Sequence, residues 1–385
     1  MSFTMRFATP VLLAAAMAGW RSPLAAQAGI DSRVVAGALV ARMQLQAGER
    51  ILLVAVPGRS DALIPELRER IRAAGGQDLG VLSARGAPDP SWNTEFTRGA
   101  PVDRAGLVPW LSNVDLAVMM PGATLTDPAY AAMQDVLRSG RGRTIHFHWE
   151  GAYALDGSVL PISPAIATHY ERVLRDTDYR ALGEAQGRFD SAVRAGLVRV
   201  TTPAGTDINF RIGDRPVTKQ DGDASAARAM AGRNLIDREI ELPAGAIRVA
   251  PIEESVDGRI AFPPSIWAGE LVEGLVMTFT AGRLTEWTAR RGQAGVEAEL
   301  SRAGDAGRAF REFALGFNPM LAIPAAGERW IPYYGYGAGV VRLSLGDNTE
   351  LGGRVGGGYV RWNFFTDATV TVGSDVWVRG GQLIR

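Results

Sequence analysis

The sequence predicts an α/β plus α+β protein, in which an N-terminal parallel βαβ (Rossmann-like) domain precedes a C-terminal, mainly antiparallel and partly barrel-like domain with helices. Short unbroken apolar runs such as 51–56 (ILLVAV) alternate with helical segments, which is typical of strands buried on both faces of a parallel sheet. From about residue 197, apolar and polar residues alternate, which indicates antiparallel strands. A chain of 385 residues is also long enough to form two cores.

The first domain is assigned to residues 29–196, and its elements follow from local patterns. Apolar residues recur there at helical spacing or in short continuous runs, and the runs are separated by turn residues such as glycine and proline. The predicted helices are 31–45, 61–74, 129–138 and a helical stretch 155–196, and the predicted strands are 51–56, 79–83, 114–120 and 144–149. None of the strand-to-helix turns has a phosphate-binding glycine motif, so the sequence predicts no nucleotide site.

The second domain is assigned to residues 197–385, where strands predominate. The predicted strands are 247–251, 258–262, 275–280 and 284–288, and the predicted helices are 294–300 and 305–313. The closing stretch 339–364 has the pattern of two strands joined by a glycine-rich crossing. Because side chains alternate along a strand, Arg342 lies on the polar face of the first strand, and Arg361 and Asn363 lie on the polar face of the second. We expect the opposite, apolar faces to be core, and the polar face to be either solvent-exposed or the lining of a site.

The N-terminus has the layout of a secretory signal peptide. Arg6 precedes an apolar run at 7–19, and Ala26-Gln27-Ala28 matches an A-x-A cleavage site. We therefore expect residues 1–28 to be removed near Ala28 and the protein to be exported, to the periplasm or the outside of the cell. The rest of the sequence contains no apolar segment long enough for a membrane span.

Composition excludes several classes of function. The chain has 41 basic and 41 acidic residues, so its charge balance gives no reason to expect nucleic acid as a partner. It contains no cysteine, which excludes disulfides and cysteine nucleophiles. No G-x-S-x-G motif is present, so the sequence gives no support for a serine hydrolase of that type.

Several motifs resemble those of one enzyme family. They are LQAGERILLVAV at 45–56, ELPAGAIRVAP at 241–251, REFALGFNP at 311–319 and GVVRLSLGDN at 339–348. Together they resemble the aminopeptidase T and aminopeptidase S family of leucyl aminopeptidase-type metallo-aminopeptidases. The resemblance covers most of the mature chain. It implies that family's fold, a divalent metal such as Zn or Co, and a homodimer.

The resemblance places the family's five metal-ligand positions at Ala246, Glu312, Arg342, Arg361 and Asn363. Only Glu312 remains a good metal ligand, because a guanidinium has no lone pair to offer a metal and a methyl group binds nothing. A dinuclear site needs several carboxylates and imidazoles. The sequence therefore predicts a divergent member with a degenerate metal site and no metal cofactor. We expect an exported binding protein or pseudoenzyme with an Arg-lined cleft, and not a peptidase.

Arg342, Arg361 and Asn363 are then candidates for binding an anion. Two guanidiniums could neutralise Glu312 and still leave positive charge for the carboxylate of a peptide or small molecule. In the other interpretation, the arginines pair with Glu312 and fill the former metal site. The sequence leaves both interpretations open.

A second candidate site lies in the predicted strand 144–149 and the residue after it. His146, His148 and Glu150 alternate there, and two imidazoles and a carboxylate on one face could share a metal. Alternatively, these polar residues bond neighbouring loops. The alternative function is an active aminopeptidase that releases N-terminal residues from peptides, with His146, His148 and Glu312 as ligands of Zn or Co. An iron dioxygenase on the related scaffold would need histidines and an aspartate that the five positions lack.

Overall fold

The computed structural model describes residues 30–325 and 327–385, so the predicted signal peptide lies outside the described residues. Among the helices of the described ranges, none is long and apolar enough to cross a membrane. The helices are α1 Ser32–Met43, α2 Leu63–Ala73, α3 Glu95–Arg98, α4 Arg104–Leu111, α5 Pro128–Arg138, α6 Pro164–Asp176, α7 Tyr179–Ala195, α8 Ala226–Ala231 and α9 Gln293–Gly307.

The strands fall into two groups along the chain. The first group is parallel and comprises β1 Arg50–Ala55, β2 Gln77–Ser83, β3 Leu116–Met119 and β4 Arg143–Phe147. The second group comprises β5 Val198–Thr201, β6 Asp207–Phe210, β7 Thr218–Lys219, β8 Glu239–Leu242, β9 Ala246–Val249, β10 Asp257–Ala261, β11 Ser265–Trp267, β12 Glu270–Val272, β13 Val276–Thr280, β14 Arg283–Thr288, β15 Phe310–Gly316, β16 Val341–Gly346, β17 Val360–Arg361, β18 Phe364–Phe365, β19 Thr369–Val372, β20 Asp375–Arg379 and β21 Gln382–Leu383.

The N-terminal half forms the parallel sheet that the sequence predicts. Its strand order is β2-β1-β3-β4-β8, and every neighbouring pair is parallel. The residues of β1 from Ile51 to Ala55 are completely buried, as expected for a strand covered on both faces. The edge strand β8 comes from beyond residue 197, so the sheet takes one strand from the second half of the chain.

The C-terminal half is built on antiparallel sheets, and this confirms the predicted combination of α/β and α+β architecture. One sheet has the order β14-β13-β10-β6-β5-β19-β20-β21, and a second has the order β17-β16-β15-β9-β7, with β18 also paired to β16. Helix α7 packs against both, because the ring of Phe189 lies 4.9 Å from Trp377 on β20 and 6.2 Å from Phe313 on β15, measured between ring centroids. The two halves therefore share one continuous core.

Two local predictions are wrong. The helix predicted at 305–313 ends with α9 at Gly307, because 310–316 form β15, which pairs with β9 and β16 and has every residue buried. A strand buried on both faces need not alternate, so its polar residues gave a misleading pattern. The closing strand is also interrupted: β17 and β18 pair with β16 separately, and Trp362 between them is 36 % exposed and not core.

Candidate functional site

The polar centre of the C-terminal half is the carboxylate of Glu312, which is completely buried on β15. Its Oε2 accepts hydrogen bonds from Nε and Nη2 of Arg248, at 3.2 and 3.0 Å, and from Nη1 of Arg311 at 3.1 Å. Its Oε1 accepts from Nη2 of Arg342 at 2.8 Å and from the hydroxyl of Ser344 at 3.2 Å. Three guanidiniums and a hydroxyl thus enclose the carboxylate.

Strand register explains this arrangement. Arg248 on β9 and Arg342 on β16 both lie opposite Ala314 of β15, and Ser344 lies opposite Glu312. Residues directly opposite each other project to the same face of a sheet. The small methyl group of Ala314 leaves room on this face for two long guanidinium side chains to reach the neighbouring carboxylate.

The charges in this cluster determine the ionisation of its carboxylates. Burial alone would raise the pKa of Glu312, but the charges of Arg248, Arg311 and Arg342 hold it well below its usual range. Glu350 accepts hydrogen bonds from Arg248, at 3.0 Å, and from Arg311. The pKa of Glu350 is also lowered, because the attraction of Arg311 and Arg248 outweighs the effect of burial. Both carboxylates are therefore ionised at neutral pH.

A cavity of about 180 Å³ lies beside the cluster, at the carboxyl end of β4, where it is also lined by Glu239 and Glu241 of the neighbouring strand β8. Ligand sites of parallel sheets are commonly found at this end of the strands. Its lining contains Arg248 and Arg342 but not Glu312. The residues that line the cavity are Leu125, Tyr130, Gln134, His146, His148, Ile236, Glu239, Glu241, Arg248, Tyr334, Tyr336, Arg342, Glu350 and Trp362.

The two predicted histidines line this cavity, but Glu150 does not. The ring centroids of His146 and His148 are 5.5 Å apart. Strand β4 ends at Phe147, so the three polar residues do not share one face of a regular strand. Glu150 is half-exposed and lies 3.9 Å from Arg59. The predicted grouping of both histidines with Glu150 is therefore wrong.

Glu239 takes the position beside His146 that was predicted for Glu150. Nε2 of His146 lies 3.4 Å from Oε1 of Glu239, and Nδ1 is hydrogen-bonded to the hydroxyl of Tyr130 at 2.8 Å. The side-chain amide of Gln134 donates to Glu239. Burial raises the pKa of Glu239 to about 8, with further contributions from Glu350 and Glu241. Burial also holds the pKa of His146 well below its ordinary value, so both groups are mainly uncharged at neutral pH.

Arg361 and Asn363 lie outside the cluster. Nη1 of Arg361 donates to Glu299 at 2.8 Å, Nε donates to Asn363 at 3.0 Å, and the guanidinium carbon lies 3.5 Å from the ring centroid of Trp267. The side-chain amide of Asn363 donates to the carbonyl of Leu343. The prediction that Arg361 helps to neutralise Glu312 is wrong, because the partner of Arg361 is Glu299. Of the three predicted anion-binding residues, Arg342 therefore lies in the Glu312 cluster, whereas Arg361 and Asn363 lie together near Glu299.

Comparisons with known proteins identify the scaffold. Residues 197–322 match the family model described as thermophilic metalloprotease (M29). Wild-type AmpT from Thermus thermophilus matches with a TM-score of 0.59 and 16 % identity, over 92 % of this chain and 99 % of that chain. The resemblance to the aminopeptidase T-like family is confirmed. No curated protein sequence matches the chain significantly.

The aminopeptidase T-like fold is also similar to a structure with a different title. The 2,5-dihydroxypyridine dioxygenase from Pseudomonas putida KT2440 matches with a TM-score of 0.62 and 14 % identity, over 92 % of this chain and 96 % of that chain. At these sequence identities, the structural matches establish the fold alone, and the chemistry depends on the side chains of the site.

The side chains present do not fit the metal site of the aminopeptidase T-like family. Ala246 offers only a buried methyl group, and both oxygens of Glu312 are occupied by Arg248, Arg311 and Arg342. A guanidinium remains charged in proteins and cannot donate a lone pair to a metal. Within residues 30–325 and 327–385, no group of three or more histidines, aspartates or glutamates is arranged to hold a metal ion.

The structure adds two residues that sequence reasoning missed, Arg248 and Arg311. Both were visible in the sequence: Arg248 lies two positions after Ala246 on the same strand face, and Arg311 directly precedes Glu312. A completely buried carboxylate needs cationic partners, so the burial of Glu312 would have indicated that nearby arginines neutralise its charge. Glu239, Glu241 and the helix residues facing them were not predictable, since they meet His146 only through the parallel pairing of β8 with β4.

Proposed function

We propose that this chain is an exported binding protein on the metallo-aminopeptidase fold, in which the dinuclear metal site is degenerate and the adjoining cavity binds a small molecule. The observation that carries this proposal is the enclosure of Glu312 by three guanidiniums. The carboxylate is the only good metal ligand left at the five family positions. Since its oxygens accept from arginine and serine, a metal would have to displace a buried ion-pair network.

The size of the cavity supports a small ligand. At about 180 Å³ it is smaller than the roughly 300–1,000 Å³ typical of sites for drug-sized molecules. Aromatic side chains supply most of its apolar wall, including Tyr130, Tyr334, Tyr336 and Trp362. Apolar walls with a few convergent polar groups are the usual composition of a small-molecule site.

Export and a homodimer form part of the proposal. The A-x-A sequence ending at Ala28 supports removal of a signal peptide, and N-terminal sequencing of the protein secreted or released from its native host tests it. The family resemblance supports the homodimer. Light scattering of the purified mature protein tests it, and a single-chain mass in solution would refute it.

The alternative is an active aminopeptidase that uses His146, His148 and Glu312 as ligands of Zn or Co. The geometry disfavours it, because Arg248 and Arg342 line the cavity while Glu312 does not. Metal analysis of the purified protein, combined with hydrolysis of an aminoacyl reporter substrate, separates the two functions. The proposal predicts substoichiometric metal and no turnover after incubation with Zn or Co. Stoichiometric metal with turnover would establish the alternative.

A further inference from the structure

The charged side chains around the cavity balance one another. Arg248 and Arg342 line it together with the carboxylates of Glu241 and Glu350. Behind them lie one further guanidinium, that of Arg311, and the buried carboxylate that it contacts. Each of the three carboxylates has a guanidinium nitrogen within 3.7 Å. This cluster of described residues therefore has no net charge, which removes the basis for the predicted anion site and provides none for a cation.

The other ionisable groups of the wall are mainly uncharged at neutral pH. Burial raises the pKa of Glu239 to about 8 and lowers the pKa of both His146 and His148. Oε1 of Glu239 lies 3.4 Å from Nε2 of His146, so these two groups face each other without adding charge to the wall. A bound ion would bring an uncompensated charge into this site, which is costly, whereas a neutral molecule would not.

One donor of the wall lacks an acceptor. Nε of Arg342 has no hydrogen-bond partner among the described residues, although Arg342 is only 2 % exposed and lines the cavity. The other two nitrogens of this guanidinium are used, since Nη1 donates to the carbonyl of Tyr334 and Nη2 donates to Glu312. Nε of Arg311 is also unpaired, but Arg311 does not line the cavity. An unpaired buried donor is costly, and a carbonyl oxygen of a ligand would satisfy it.

The backbone that holds Arg342 is strained. Tyr333 and Tyr334 have φ angles of 35° and 53°, in the left-handed region that bulky side chains rarely adopt. This conformation fixes the carbonyl of Tyr334, which accepts from Nη1 of Arg342 at 3.0 Å and so orients the guanidinium. Strain of this kind is concentrated at ligand-binding and catalytic sites. The unpaired Nε therefore belongs to a wall with the features of a binding site.

The volume of the cavity sets the size of the ligand. At about 180 Å³, it is slightly larger than an engineered apolar cavity of roughly 150 Å³ that binds benzene. Leu125, Ile236 and Trp362 give it an apolar part. The cavity thus has room for one ring with a small polar substituent, and little room for a peptide chain.

We propose that the cavity binds a small uncharged molecule of single-ring size that has a carbonyl group, and that the carbonyl oxygen accepts a hydrogen bond from Nε of Arg342. This inference rests on the proposed function, since it names the ligand class of the same site. It replaces the carboxylate expected from the sequence. Glu312 and Tyr334 hold the guanidinium of Arg342 in place, so that its remaining N–H is available to the ligand.

Three probes of nearly the same shape test the charge of the ligand. Benzamide is neutral, benzoate is negative and benzamidinium is positive. Ligand-observed nuclear magnetic resonance titrations of the chelator-treated mature protein measure their dissociation constants. We expect benzamide to bind with a Kd on the order of 1 mM, and both ions to bind at least tenfold more weakly. Either ion binding as tightly as benzamide, or no saturable binding of benzamide, would overturn the inference.

The matched variants are Arg342→Lys, inside the cavity, and Arg361→Lys, outside it. Both keep the positive charge and remove the Nε–H group. We expect Arg342→Lys to weaken benzamide binding about tenfold, because the ligand loses a hydrogen bond from a charged donor. Arg361→Lys should leave binding unchanged, because Arg361 pairs with Glu299 and does not line the cavity. A folded Arg342→Lys variant with unchanged affinity for benzamide would contradict the proposal.

A crystal structure of the wild type with benzamide gives a readout that does not depend on folding of the variants. We expect the carbonyl oxygen of benzamide at about 3 Å from Nε of Arg342. Benzamide bound elsewhere, or with its carbonyl turned away from Arg342, would also overturn the inference. Metal content and reporter turnover decide the proposed function separately, so either proposal can fail without the other.

Discussion

Replacement of Glu312 by glutamine perturbs the centre of the guanidinium cluster most directly. The glutamine side chain has nearly the same shape, but it is neutral and presents an amide donor to groups that are themselves donors. Arg248 and Arg311 would keep Glu350 as an acidic partner, whereas Arg342 would keep the carbonyl of Tyr334 and could reach at most the neutral amide oxygen of the new side chain. The variant thus leaves at least one fully buried guanidinium without a carboxylate.

The expected cost is large because the pairs are buried. Removing one partner of a buried ion pair costs about 3–5 kcal/mol. Glu312 interacts with three arginines, but Glu350 compensates two of them, so we expect Glu312→Gln to fall within the same range, about 3–5 kcal/mol. The exposed Glu286→Gln substitution on β14 is the matched control, and we expect a change of less than about 0.5 kcal/mol there.

Urea unfolding followed by tryptophan fluorescence measures both changes. The double variant Glu312→Gln/Arg342→Gln should lose less stability than the sum of its single variants, because the two side chains interact directly. The low pKa of Glu312 sets the pH dependence: its contribution is present above the ordinary value of 4.5 and is lost as the pH falls through its lower folded pKa. A Glu312→Gln variant as stable as the wild type at neutral pH would refute the account of the cluster.

Three further predictions concern other parts of the chain. The raised pKa of Glu239 means that the folded protein holds a proton which the unfolded chain releases. As the pH rises from the ordinary pKa of 4.5 to about 8, the free energy of unfolding of the wild type should therefore fall, relative to Glu239→Gln, by up to about 1.4 kcal/mol per pH unit. Urea unfolding at several pH values measures this difference. The same pH dependence of stability in the wild type and in Glu239→Gln would contradict this prediction. Phe313→Ala, in the centre of β15, should cost about 3–5 kcal/mol by the same measurement, whereas Val102→Ala, at an 88 % exposed position, should change stability by less than about 0.5 kcal/mol. Arg361→Ala should destabilise the protein by about 1–3 kcal/mol, through loss of its pair with Glu299, and a variant as stable as the wild type would contradict this pairing.

The fold was predictable where local pattern and burial agree. The run ILLVAV became the buried strand β1, and the apolar spacing of Val35, Leu39 and Met43 became the inward face of α1. In β15 the two signals conflict, because charged residues occupy a strand that is buried on both faces. Only the pairing of Glu312 with arginines from other strands makes that burial possible, and such pairing is not visible in a local window.

The candidate site was predictable in part for the same reason. Motif positions correctly brought Glu312 and Arg342 together, since both motifs lie on neighbouring strands. Arg361 was misplaced because it lies opposite Leu345, so it projects to the other face of the sheet from Arg342 and Ser344, and alternation within each strand does not give the register between the two strands. The partners of His146 come from β8 and α5, which are distant in sequence, so tertiary structure alone could reveal the cavity.

The most direct test of the central claim is anomalous diffraction from crystals of the mature protein soaked in zinc. The claim is that the guanidiniums of Arg248, Arg311 and Arg342 occupy the oxygens of Glu312 and exclude a metal. The account predicts no anomalous peak within coordination distance of Glu312, with the three guanidiniums in place. A zinc peak bound to Glu312, with the arginines displaced, would contradict it.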